Sequence, residues 1–327
     1  MNILVTGGAG FLGSIVVDSF VKRGDNVVVI DNLSTGHEEA VNPKAKLFMI
    51  DLLAHKWILD SVFKENKFDA VIHLAAEASI EKSMTNPSIY FNSNVVGGIN
   101  VLDSMVKYKV NKIIFSSCAS LYGNNDGKLC QESDIPKSIN SYGESKLMFE
   151  NILKWYGTAY GIKHITFRFF KVNGSTKEYG ESHLPETHLI PNVLWSALSG
   201  EPVEVFGTDY NTPDGTCIRD FVHTLDVVQA IFLALDKIET HSGKIYNLSS
   251  TQGYSVLDVI NATREVTNLP INIHKSARRN GDPSILRADS SLVRKELGWK
   301  PQYTDIKDII KSDWEWQKNH PNGYNIE

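Results

Sequence analysis

Two kinds of apolar patterning alternate along the first 170 or so residues. Short, nearly continuous apolar runs predict strands at 2–5, 26–30, 46–50, 70–74, 112–116 and 164–169. Between them, apolar residues recur every three or four positions at 13–23, 93–108 and 142–160, the spacing of amphipathic helices. Runs such as Val27-Val28-Val29-Ile30 have the texture of strands covered on both faces. Strands alternating with helices imply βαβ units, and six of them imply a doubly wound parallel sheet of the Rossmann type. The texture changes beyond Phe170, where 173–191 and 208–215 are rich in turn residues. A helical pattern at 225–235 and an apolar run at 244–248 then return to the sheet, and a Trp/Ile-bearing helix closes the chain near 306–317. The expected architecture is α/β: a Rossmann-type domain from 1–171 plus about 220–250, and a smaller C-terminal α/β lobe from about 172–219 and 251–327.

Composition narrows the class. The 327 residues are 42% hydrophobic and 22% charged, which excludes disordered, collagen-like and coiled-coil chains. With 33 Lys+Arg against 38 Asp+Glu, the net charge of −5 argues against nucleic acid as the main partner. No apolar run approaches the roughly 20 residues that span a bilayer. The N-terminal Met1–Gly7 segment reads as a strand, not a signal peptide. Cys118, Cys130 and Cys217 are scattered and form no Cys-x-x-Cys pair, so neither a disulfide framework nor a metal site is expected, and a reducing cytoplasm is the natural location.

Candidate chemistry begins where the first strand ends. Gly7, Gly10 and Gly13, with Phe11 and Leu12 among them, form a Gly-x-x-Gly-x-x-Gly turn opening a helix. Such a turn brings backbone N–H groups and a helix N-terminus to a pyrophosphate. The second strand ends in Asp31, 24 positions after Gly7, where a carboxylate accepts hydrogen bonds from ribose hydroxyls and repels a 2′-phosphate, favouring NAD over NADP. Asn32 and Ser34 follow Asp31; Asp51 and Leu52 follow the third strand; Leu74, Ala75 and Ala76 follow His73 at the end of the fourth. These strand ends are where a cofactor lies in an open α/β sheet. The bland alternative is a plain βαβ turn with a solvated aspartate, and the combination of turn, second strand and acidic end outweighs it. Tyr142 and Lys146 share one helical face, with Ser141-x-x-Glu144 as a candidate capping box. A lysine beside a phenol, with a cationic nicotinamide and a helix start, lowers the phenol pKa from ~10 toward neutrality and makes Tyr142 a general base for a hydroxyl. The same spacing occurs by chance in surface pairs and gains weight from the glycine turn.

These residues resemble the extended short-chain dehydrogenase/reductase family, and within it the UDP-glucose (UDP-galactose) 4-epimerases. Besides the glycine turn and Tyr142/Lys146, the resemblance rests on Pro185-Glu186-Thr187-His188-Leu189-Ile190-Pro191, the run from Phe206 to Phe221, Tyr246-Asn247-Leu248, Arg278-Arg279-Asn280-Gly281-Asp282, Glu296-Leu297-Gly298-Trp299 and Pro321-Asn322-Gly323-Tyr324. It covers essentially the whole chain. It implies a tightly held NAD, a UDP-hexose substrate, and oxidation at C4 followed by return of the hydride to the opposite face. Tyr142 would take the 4-hydroxyl proton and Lys146 would hold the nicotinamide ribose, with Ser116 among the cofactor contacts. Asn94 and Phe170 would line the site near the sugar. Arg219 and Arg279 would grip the diphosphate, and Leu189, Phe206 and Asp282 the uridine. The helices at 93–108 and 142–160 resemble those that pair across a homodimer.

Three positions depart from the family pattern. Cys118 stands where a Ser or Thr normally donates to the substrate oxygen, so that Ser117 or Ser120 is an alternative donor. Lys171 replaces an Asn that contacts the sugar nucleotide, and its charge suits phosphate. Leu286 replaces a bulky Tyr that shuts out N-acetyl sugars in some relatives, so tolerance of UDP-N-acetylhexosamines is expected. Related dehydratases and decarboxylases carry acidic residues just after the Ser/Thr position, whereas Ala119-Ser120 offers none. A sugar-nucleotide-binding sensor or low-activity paralogue stays open on account of Cys118 and Lys171.

Overall fold

The computed structural model describes residues 1–125, 127–279 and 281–324; Asn280, within one of the quoted strings, lies outside them. A seven-stranded, wholly parallel sheet runs in the order Lys244–Leu248, Lys163–Phe169, Lys112–Cys118, Ala70–His73, Asn2–Thr6, Asn26–Asp31, Lys46–Met49. Strand order reverses between Asn2–Thr6 and Ala70–His73, the position where open α/β sheets bind ligands. Because side chains alternate across a strand, Ile3 and Val5 face one core layer and Leu4 the other. The first layer receives Ile15, Val16 and Phe20 of the Phe11–Arg23 helix and Val227 and Ile231 of the Thr224–His241 helix. The second receives Val101, Leu102 and Met105 of the Gly97–Lys107 helix and Phe149 and Leu153 of the Ser141–Tyr160 helix.

A second sheet stands against this one. Ile218–His223 pairs with Lys171–Asn173, Gly253–Ser255 and Ile285–Ala288, and the last of these pairs with Leu129–Cys130. Val203–Phe206 and Ile273–Ser276 make a separate two-stranded ribbon. The expected boundary at about 219/220 falls within the Ile218–His223 strand, and Leu129–Cys130, inside 1–171, pairs with the second sheet. Strands of two to six residues paired over such separations leave little local periodicity to read.

Local chemistry also revises two helices. The side chain of Asn140, not Ser141, caps the Ser141–Tyr160 helix by accepting the Gly143 N–H at 2.8 Å, while the Ser141 hydroxyl donates to the Ser83 carbonyl at 2.6 Å. The expected capping box is absent there because Ser141 is already the first helical residue. The helix expected over 93–108 is divided: Phe91–Val96 winds as a π-helix and Gly97–Lys107 continues as an α-helix.

Candidate active site

The glycine turn has the geometry of an anion cradle. Gly7 has φ +72°, and a Cβ there would lie 2.6 Å from the Ala75 nitrogen; at Gly13 a Cβ would lie 1.9 Å from the Gly7 carbonyl oxygen. Gly10 is different, since a Cβ there would meet only the Gly7 oxygen, at 3.5 Å, leaving its face open. Gly10 is the N-cap of the Phe11–Arg23 helix, no side chain bonds that end, and its first turn holds no acidic residue. Free backbone donors beside an open glycine suit a pyrophosphate. Phe11 and Leu12, both partly buried, pack against the first core layer.

Asp31 sits half-buried beside this turn, accepting the Ala9 N–H at 3.0 Å and the Leu33 N–H at 2.9 Å; burial raises its pKa. Asn32 donates to Asp51 at 3.2 Å, and the Ser34 N–H donates to Asn32 at 3.1 Å, so this group gathers at the ends of the second and third strands. Leu52 packs in the second core layer. The Leu74 N–H donates to the Thr6 carbonyl at 3.1 Å, and Ala75 closes against Gly7, with exposed Ala76 next. His73 is a packed strand end, its Nδ1 2.7 Å from the Thr6 hydroxyl. The residues therefore fit a bound NAD: an open glycine turn, an uncapped helix start and an acidic strand end converge at the switch point.

Above them lies the candidate chemistry. Lys146 is only 2% exposed; its ammonium donates to the Ser116 carbonyl at 2.7 Å and lies 5.0 Å above the Phe115 ring. Burial pulls its pKa down to about 8, against the opposing pull of Cys118 and Glu150. Tyr142, half-buried, lies close enough to the buried Cys118 thiol for each to perturb the other, and the Tyr90 ring stands edge-on at 6.3 Å. Among the protein's own groups, burial first, then Cys118, then Tyr90 raise the Tyr142 pKa well above its ordinary value of 10. Lys146 instead acts on the Cys118 thiol, whose pKa burial nevertheless raises, so the thiol stays neutral.

Two further assignments change. Ser117 points to the opposite face of its strand and donates to Glu150 at 2.6 Å, so it is not available to the substrate. That carboxylate is held by Arg168 through Nε at 3.0 Å and Nη2 at 2.8 Å. Asn94 spends its amide within the protein, accepting the Glu77 N–H at 2.8 Å and donating to Ser145 at 2.9 Å and to the Glu77 carbonyl at 3.1 Å. It positions the Ser141–Tyr160 helix. A hydrophobic-to-polar change inside an apolar helix, here Asn94 and Ser145, was the sequence signal for that contact; Glu150 and Arg168 had none beyond their types.

The remaining residues form a cationic wall. Arg219 donates to Asp282 at 2.7 Å and to the Ile218 carbonyl at 2.8 Å. Arg279 lies 3.8 Å over the Phe206 ring. Lys171 is near enough to Asp282, Arg219 and Arg279 to feel each charge, and burial lowers its pKa. Leu189 opens the Leu189–Ser199 helix, while Leu286 packs with Phe170 and Tyr122 in a small cluster beneath the cleft.

The comparisons with known proteins agree with this geometry. Residues 3–249 match the NAD dependent epimerase/dehydratase family. The chain is 46% identical over 330 residues to a UDP-glucose 4-epimerase of Streptococcus mutans, covering 99% of each. It superposes on a crystal structure of a UDP-glucose 4-epimerase with a TM-score of 0.95, at 44% identity, over 99% of this chain and 100% of that one. A Bifidobacterium longum UDP-glucose 4-epimerase in complex with NAD+ and UDP gives a TM-score of 0.93 at 33% identity, over 99% and 100%.

Proposed function

The chain belongs to the NAD dependent epimerase/dehydratase family, and from that premise we propose that its cleft interconverts UDP-galactose and UDP-glucose as an NAD-dependent isomerase. The observation that carries the reading is the Tyr142 hydroxyl beside the Cys118 thiol, with the Lys146 ammonium seated on Ser116, at the ligand-binding end of the sheet. A bound NAD would supply a reversible hydride acceptor for C4 of the sugar, so that oxidation to the 4-keto sugar and reduction on its opposite face would leave no net redox change. Gly7, Gly10 and Gly13 hold the pyrophosphate against the helix start, and Asp31 takes the ribose hydroxyls. Lys146 supplies a fixed cation at the ribose side. Tyr142 takes the 4-hydroxyl proton and returns it after the sugar has turned, and the Cys118 thiol donates weakly toward the same oxygen. Because the protein's own groups favour the neutral phenol, ionising Tyr142 near neutral pH requires positive charge brought in with the ligands. Lys171, Arg219 and Arg279 grip the diphosphate, where guanidinium geometry suits phosphate oxygens. Asp282, Phe206 and Leu189 border the uridine.

The test is to mix the purified protein with UDP-galactose and no added NAD and to follow UDP-glucose by NMR. Conversion supports the reading; binding of the sugar nucleotide without conversion makes the protein a sensor. Buried Leu286 fills less space than Tyr, which supports acceptance of UDP-N-acetylhexosamines as well. Undetectable turnover of UDP-N-acetylglucosamine in a coupled assay refutes that extension.

The protein is further proposed to work as a homodimer in the cytoplasm. Exposed Val96, Met148 and Trp155 on or beside the Gly97–Lys107 and Ser141–Tyr160 helices support the first point, and three buried unpaired cysteines the second. No helix among the described residues is long and apolar enough to cross a membrane. A monomer mass in light scattering overturns the dimer.

A further inference from the structure

Between the Lys171–Asn173 strand and the Leu189–Ser199 helix, Glu181, His183, Glu186 and His188 each offer a ligand atom, and all these atoms lie within 4.8 Å of one another. His183 Nδ1 is 2.9 Å from Glu181 Oε1, and His188 Nδ1 is 3.0 Å from Glu186 Oε1 while also contacting Glu181. The cluster is partly open to solvent: the Glu181 side chain is 4% exposed, Glu186 20%, His183 25% and His188 40%. Among the described residues, the ion pairs of both glutamates go to these two imidazoles and to no lysine or arginine.

The surroundings add negative charge. Buried Asp313, held by the Ser175 hydroxyl at 2.6 Å and the Gly174 N–H at 3.1 Å, lies close enough to Glu181 and Glu186 to feel their charge. Lys171 feels Glu181 but is shared with Asp282. Two carboxylates and two imidazoles thus gather in one cluster, with the Asp313 charge nearby.

We infer that Glu181, His183, Glu186 and His188 form a structural site for a divalent transition metal ion of the zinc class. Two imidazole nitrogens and two carboxylate oxygens are a borderline donor set, suited to zinc more than to calcium or magnesium, which prefer oxygen alone. Tetrahedral zinc with bonds of about 2.0–2.1 Å separates its ligand atoms by about 3.3 Å, so the observed cluster needs a small contraction. Four protein ligands leave no open position, hence a structural ion. Its effect follows from what this segment touches. His37 bonds the Ser182 carbonyl at 2.6 Å from the cofactor side, and the Tyr324 hydroxyl accepts the Gly180 N–H at 2.9 Å from the C-terminal side. Leu189 follows His188 directly, so the ion fastens a strap running from the cofactor turn to the nucleotide-side helix.

The full-length protein, dialysed against a chelator, is titrated with Zn²⁺ alone by calorimetry, with Tm measured alongside. One ion per chain and a raised Tm are expected. In His183→Asn and Glu186→Gln, affinity should fall at least about tenfold, a loss typical even of outer-shell changes. His274→Asn, which breaks the exposed His274–Glu204 pair, should bind as the wild type does. Equal affinity in all four proteins, or no Tm change in the wild type, overturns the site. Should the ligand variants fail to fold, Co²⁺ substitution in the wild type decides: a four-coordinate visible spectrum supports the site and a six-coordinate one refutes it.

Discussion

Tyr142 shows how a side chain's identity and its ionisation are separate questions. Its spacing to Lys146 is visible in the sequence, but the lysine ammonium is turned to the Ser116 carbonyl and a buried thiol stands beside the phenol. Removing the hydroxyl removes the only proton carrier proposed for the sugar oxygen while leaving the glycine turn untouched. Tyr142→Phe is therefore expected to lose about 10²-fold or more in kcat and keep its NAD, measured by absorbance of the denatured supernatant. Unchanged turnover excludes Tyr142 from the proton transfer. At Cys118 the argument concerns donor strength. A thiol is a weak donor, and burial keeps this one neutral, so a hydroxyl in the same place bonds the substrate oxygen more strongly. Cys118→Ser should preserve or raise kcat at pH 7, and a large fall would give the sulfur a role of its own.

At the scale of elements, the Ser141–Tyr160 helix is fixed to the sheet by a buried polar group as well as by Phe149 and Leu153. Arg168 and Glu150, 4% and 2% exposed, form a two-point ion pair that Ser117 and Tyr122 complete. Breaking such a pair on one side leaves a charge without a partner in an apolar surrounding. Arg168→Met is expected to lower the unfolding free energy in urea by about 3–5 kcal/mol, and adding Glu150→Gln should recover part of that loss. A single variant as stable as the wild type would show that the pair is dispensable. This network also marks the limit of what the sequence reveals. The seven parallel strands are legible because each is an apolar run long enough to stand out, and the glycine turn and Asp31 because a turn and a strand end have fixed spacing. Ser117 is an alternative donor in the sequence because it is a hydroxyl next to Cys118. A one-residue step reverses the face, and the sequence carries no mark of which face meets Glu150. Asn140 and Ser141 are both good capping types, and only the backbone angles separate them. The second sheet escaped because its pairings, such as Leu129–Cys130 with Ile285–Ala288, join segments with no local pattern in common.

Across the whole molecule, His73, His164 and His223 are buried, and among the described residues none of them forms an ion pair. His73 is 1% exposed, accepts or donates one bond to Thr6, and leaves Nε2 without a partner; burial, reinforced by the Lys146 charge, drives its pKa down to about 3. Burial likewise takes His164 and His223 down to about 4. An unfolded chain takes up these protons near pH 6.5, before the folded chain does, so the neutral folded form is favoured above that pH and loses stability as the pH falls through it toward 4. Each histidine contributes a slope of about 1.4 kcal/mol per pH unit in that window, and His73 alone accounts for about 2 kcal/mol between pH 7 and pH 5. His73→Asn, which keeps a group able to bond Thr6, should be less stable than the wild type at pH 7 because it empties space between Phe115 and Phe149. Its unfolding free energy in urea should then fall by about 2 kcal/mol less than the wild type's on going to pH 5. If both proteins lose the same amount, the proton uptake that destabilises this fold in mild acid occurs elsewhere, and His73 is not held neutral by the layer that encloses it.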